Sequence, residues 1–176
     1  MDDFFDGGFG GGNDEPTSFT DTAQICMNGH IINDSYVQSP ELNKKYCPKC
    51  GEPTIITCPE CSSKIAGEIH YNNVFGTHSF KLPAFCIECG IPYPWTVSRL
   101  KAAKELVSEL EELSAVEQKT LEMSIDEISK DNPQASVGAT RIKKIMGKVR
   151  NATGDTLQKI IIEVASETAK KILLGN

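Results

Sequence analysis

The sequence has no long apolar run and no basic start followed by a hydrophobic stretch. It therefore offers neither a membrane-spanning helix nor a secretory leader, and a cytoplasmic protein is expected. It lacks a phosphate-cradling loop: the glycines near the N-terminus are not followed by the lysine and helix such a loop needs. No serine elbow is present, and Ser98-x-x-Lys101 matches the letters of a serine-lysine nucleophile without any companion motif. The only tryptophan is Trp95, and the three histidines are His30, His70 and His78. Material for acid-base or nucleophilic catalysis is thus sparse, and an enzyme is not expected. Seven cysteines could form disulfides in an exported chain, but an odd count with C-x2-C spacing points to metal in a reducing compartment.

What is present falls into three regions. Met1 to Gln24 holds six acids and no base, with five glycines and the phenylalanines Phe4, Phe5 and Phe9. Such a composition cannot bury enough apolar surface to offset its ordering entropy, so residues 1–24 are expected to be a disordered acidic tail. Ile25 to Trp95 contains every cysteine and histidine and no helical periodicity. It reads as small antiparallel hairpins, with candidate strands at His30 to Asn33, Thr54 to Thr57 and Lys64 to Tyr71. From Thr96 to Asn176 cysteine disappears and apolar residues recur three or four apart. The boundary lies at Pro92-Tyr93-Pro94-Trp95, where two prolines disfavour helix and Thr96 can cap one.

About four helices are expected in residues 96–176. Leu100, Ala103, Val107 and Leu110 form the first apolar stripe, and Ser114 with Glu117 makes a capping box for a second helix through Ile128. Asn132-Pro133 ends that one, and a third runs roughly from Ala135 to Val149. Asp155 can cap a last helix bearing Leu157, Ile161, Val164, Ala165, Thr168 and Ile172. Mixed charges on the polar side of this last helix suit packing in a bundle or across a dimer better than a membrane surface.

The strongest signal is the ligand spacing. Cys26-x3-His30, Cys47-x2-Cys50, Cys58-x2-Cys61 and Cys86-x2-Cys89 supply eight ligands for two tetrahedral sites and leave no cysteine over. Soft sulfur with one imidazole suits zinc, so two Zn2+ per chain are expected, one held by three cysteines and a histidine and one by four cysteines. An iron-sulfur cluster is disfavoured by the histidine and by the absence of compact cysteine runs. Sequential pairing gives hairpins of ordinary length, as in zinc ribbons. An interleaved cross-brace and a nested arrangement stay open. Both sites would have four protein ligands and no open position for a water or substrate, which argues against catalysis.

Nucleic acid is the other obvious ligand for a zinc ribbon. Ile25 to Trp95 holds six acids against five bases, the wrong balance for a phosphate backbone. The exception is Arg141, Lys143, Lys144, Lys148 and Arg150, a run with no acid between Ala135 and Ala152. It reads more simply as the solvated face of a helix, leaving a nucleic-acid-binding regulator as the alternative. Trp95 is expected to pack where the ribbons meet the first helix, and His70 and His78 to be surface residues of the second hairpin.

At Ile25-Cys26-Met27-Asn28-Gly29-His30, Tyr46-Cys47-Pro48-Lys49-Cys50-Gly51, Cys58-Pro59-Glu60-Cys61 and Phe85-Cys86-Ile87-Glu88-Cys89-Gly90 with Tyr93-Pro94-Trp95-Thr96, the chain resembles an uncharacterised family of small bacterial double-zinc-ribbon proteins. The likeness continues at Ser124 to Ile128 and Ala165 to Lys171. It implies two zinc ribbons, an α+β chain with a helical C-terminal region, and no assigned activity. Together these features point to a non-catalytic zinc-binding adaptor that docks a protein partner or a second copy through its helices.

Overall fold

The computed structural model describes residues 18–71 and 80–175. Phe4, Phe5, Phe9 and most of the expected acidic tail lie outside the described residues, as does His78. The chain is α+β: small antiparallel sheets come first and helices follow.

Among the described residues five short strands make two sheets. β1 (Ser18–Thr22) pairs with β5 (Ala66–Tyr71), and β2 (Gln24–Cys26) lies between β3 (Ile31–Asn33) and β4 (Thr54–Ile55). β3, β4 and β5 fall within the stretches whose β-branched residues predicted strands. β1 and β2 do not: Ser18–Thr22 and Gln24 are strand where composition suggested tail. The physical reason is Asp21. Its carboxylate is buried and accepts the backbone N–H groups of Thr22, Val37 and Gln38, so an acid that reads as solubilising ties three segments together. Burial works against that charge, but the three N–H donors hold the carboxyl below its ordinary value.

The helices are α1 (Pro94–Ser108), α2 (Ala115–Ile128), α3 (Pro133–Met146), α4 (Ala152–Val164) and α5 (Glu167–Leu174). Ser114 and Glu117 form the expected capping box of α2. Three expectations need correction. α1 starts at Pro94 rather than Thr96, because proline costs nothing at a first helical position whose N–H has no partner anyway. Asn151, not Asp155, caps α4, its side chain accepting the Gly154 N–H. The expected single last helix is two, since Ala165 is extended and Ser166 caps α5 while giving its own N–H to the Ile128 carbonyl.

Two separate cores result. Leu110, Leu121, Ile125, Ile128, Ile142, Leu157 and Ile161 are buried together where the helices meet. The ribbon core is much smaller: Ala23, Ile25, Ile65, Tyr93 and Trp95, with Cys58 and Cys86 among them. Trp95 is 1% exposed, stacks on Tyr93 with ring centres 4.6 Å apart, and donates its Nε1 proton to the Pro83 carbonyl at 2.7 Å. Thr96 Oγ1 donates to the Ala84 carbonyl at 2.8 Å. The first turn of α1 therefore belongs to the ribbon core, while Ala103 and Val107 further along belong to the helical one.

Candidate metal centres

Each ligand pair sits on a tight backbone knuckle, and three of the four are built alike. The Cys47 N–H donates to the Glu52 carbonyl and the Cys47 carbonyl accepts the Gly51 N–H. Cys58 does the same with Ser63 and Ser62, and Cys86 with Ile91 and Gly90. A bridge closes the neck of each: Tyr46 with Pro53, Thr57 with Lys64, and Phe85 with Pro92. Closing so short a loop requires a left-handed residue just after the second cysteine, supplied by Gly51 (φ 76°) and Gly90 (φ 71°). The third knuckle uses Ser62 (φ 61°) there instead. The first is one residue tighter, with the Cys26 N–H donating to His30 and Gly29 (φ 82°) making the turn.

These knuckles bring Cys26, His30, Cys47 and Cys50 into one cluster and Cys58, Cys61, Cys86 and Cys89 into another, with the donor atoms of each all within 4.8 Å of one another. All eight sequence-predicted ligands are thus gathered, and of the three pairings the sequence left open, the structure has the sequential one. In the first cluster Cys26 Sγ lies 3.8 Å from Cys50 Sγ, and His30 points its Nδ1 inward, 3.4 Å from Cys26 Sγ and 3.5 Å from Cys47 Sγ. In the second, Cys58 and Cys89 sulfurs are 3.8 Å apart and those of Cys61 and Cys86 are 3.7 Å apart. The leading cysteine of every pair is buried; Cys50, Cys61 and Cys89 face solvent. Each cluster can hold a metal ion.

The electrostatics favour a cation. The Ser63 hydroxyl, 3.3 Å from Cys86 Sγ, followed by the backbone N–H of Cys89, brings the Cys86 thiol down to about 5. The same hydroxyl lies 3.0 Å from Cys61 Sγ and lowers that thiol too. At Cys89 the Ile91 N–H favours the thiolate, yet burial and the neighbouring sulfurs of Cys61, Cys86 and Cys58 push the group up to about 12. In the first cluster burial raises Cys26, whereas the N–H groups of Lys49 and Cys50 overcome burial at Cys47 and lower it. Sulfurs this close cannot all be anionic unless positive charge sits among them.

The remaining candidates fare differently. His70 is not a loop residue: it lies on β5, stacks on Phe19 with centres 4.9 Å apart, and places Nε2 3.7 Å from the buried Asp21 carboxylate. Lys101 pairs with Glu105 one turn along α1. In the basic run, Arg141 binds Glu127 at 3.1 Å, Lys148 binds Glu117, and Lys143 donates to the Ile172 carbonyl at 3.2 Å. Sequence reasoning missed Ser63; the one available signal was a hydroxyl residue two positions after a ligand.

No helix among the described residues is long and apolar enough to cross a membrane. A family model described as an uncharacterized protein conserved in bacteria (DUF2321) matches residues 19–173, and the chain belongs to that family. No curated protein and no solved structure matches it.

Proposed function

We propose that this member of the bacterial DUF2321 family is a non-catalytic adaptor, in which two structural zinc ions rigidify a ribbon platform and the C-terminal helices dock a protein partner or a second copy. The observation that carries the reading is the closure of both clusters, each with four protein donors mutually within 4.8 Å. A closed tetrad has no position for a reacting water or substrate.

Zinc fits the spacing. Four thiolates about 2.3 Å from a tetrahedral Zn2+ stand about 3.8 Å apart, and an imidazole nitrogen about 2.1 Å from the ion stands about 3.6 Å from each sulfur. Three sulfur separations, of 3.7 and 3.8 Å, and two sulfur–nitrogen distances, of 3.4 and 3.5 Å, lie near these values, and the other donor pairs fall within 4.8 Å. A multi-iron cluster would put its thiolates on separate irons and spread them further. On this reading Cys26, His30, Cys47 and Cys50 hold the first ion and Cys58, Cys61, Cys86 and Cys89 the second, in a reducing, cytoplasmic setting.

Exposed apolar side chains on the ribbon support the adaptor reading. Ile87 (75% exposed), Val37 (60%) and Phe19 (44%) surround one open hollow of about 480 Å3. The nucleic-acid alternative is weakened because Arg141, Lys143 and Lys148 are already engaged within the helical region. Elemental analysis of protein purified without added metal, with its mass by light scattering and partner capture from its native cells, tests the proposal. Two zinc ions per chain and a stable oligomer or protein complex are expected. Iron, fewer than two ions, or a monomer with no partner would overturn it, and tight low-salt binding of DNA or RNA would favour the alternative.

A further inference from the structure

The two clusters differ in one respect that ligand counting hides. With Zn2+ bound, three thiolates and a neutral imidazole carry a net charge of about −1, and four thiolates about −2. The second site therefore depends more on donors to its sulfurs. It has hydroxyl donors that the first lacks: the Tyr93 hydroxyl bonds to Cys86, and Ser63 Oγ lies 3.0 Å from Cys61 Sγ and 3.3 Å from Cys86 Sγ, over the edge joining the third knuckle to the fourth. Among the described residues, no side-chain hydroxyl lies on a sulfur of the first cluster. The geometry is local in origin. Ser62 takes the left-handed turn (φ 61°), and the Ser63 carbonyl accepts the Cys58 N–H, which folds the Ser63 side chain back over the sulfurs. At the matching places in the other two alike knuckles stand Glu52 and Ile91, neither of which offers a hydroxyl.

We propose that Ser63 is a positioning residue of the four-cysteine site, its hydroxyl holding Cys61 and Cys86 together across two knuckles and setting how tightly that site keeps its ion relative to the first. This rests on the zinc reading above. Cys61 is exposed, and Cys61 and Cys86 belong to different hairpin ends, so this is an edge along which the site can open. The single Ser63 proton, shared as a three-centre bond between the two thiolates, opposes that opening and draws charge from both.

The test uses the full chain as wild type, Ser63→Ala and Ser63→Thr. Each is titrated with a zinc chelator while free zinc and the His30 ring resonances are followed, the latter reporting whether the first site stays filled. In Ser63→Ala one ion is expected to be held about 10 to 100 times more weakly, with the His30 signals unmoved, and Ser63→Thr is expected to recover most of the loss. Equal competition curves for wild type and Ser63→Ala would overturn the clamp, as would loss of both ions together or a threonine variant no better than alanine. A wild-type chain holding fewer than two ions would overturn the zinc reading itself, so the two failures are distinct.

Discussion

The ribbon region and the helical region reach order by opposite means. The helices bury Leu121, Ile125, Ile128, Ile142, Leu157 and their neighbours in a continuous apolar core, and their caps and ion pairs trim the edges. The ribbons have few apolar side chains, and two of the groups in their core, Cys58 and Cys86, belong to a cluster that can hold a metal ion. For the helices the apolar pattern is the source of stability; for the ribbons the proposed source is the ligand spacing. Small regions with marginal cores commonly need such a staple, so metal should matter to one part of the chain and apolar packing to the other.

Metal removal is the sharpest way to break that division. Structural zinc in small modules contributes roughly 10 to 16 kcal/mol of apparent binding energy, so chelation should abolish amide protection across β1 to β5 while leaving most helical circular dichroism intact. Equal loss of both signals would show one cooperative unit. Trp95→Ala comes next, because Trp95 packs in the ribbon core from the first turn of α1. A loss of about 3 to 5 kcal/mol is expected, read by denaturant melts, with earlier zinc release at the same time. Leu121→Ala should cost about 2 to 5 kcal/mol of helical stability while zinc content stays at the wild-type value.

The smallest effect is pH-dependent. Lys148, then the backbone and hydroxyl of Ser114, hold the Glu117 carboxyl down to about 2. A carboxyl lowered in the folded state contributes stability above its unfolded value of about 4.3, and that contribution disappears as pH falls toward 2. Helical melts of the wild type should weaken across that window, and Glu117→Gln should flatten the dependence; an unchanged slope would remove Glu117 from the account.

The two regions were also legible to different degrees. Covalent spacing made both four-residue clusters readable, because a C-x2-C or C-x3-H pair carries its geometry with it. The capping box at Ser114 and Glu117 was equally local. β1 was hidden, since Asp21 acts through backbone donors as far along as Gln38, and composition counts it only as an acid. The break between α4 and α5 was hidden for a related reason: Ala165 to Thr168 continues the apolar period, and what ends the helix is a carbonyl at Ile128, remote in sequence. Pairing of the knuckles lay between these cases, favoured by hairpin length but settled only by three dimensions.

The shared first turn of α1 has a consequence for the order in which the protein is made. β1 is closed by β5, the second cluster by Cys89, and the ribbon core by Trp95, so the N-terminal half has all its parts once residue 95 has left the ribosome. The rest of α1 follows a turn whose anchors, the carbonyls of Pro83 and Ala84, precede it in the chain. With metal bound as proposed, the ribbon would close around its ions before any helix has a neighbour, and α1 would grow outward from a fixed root.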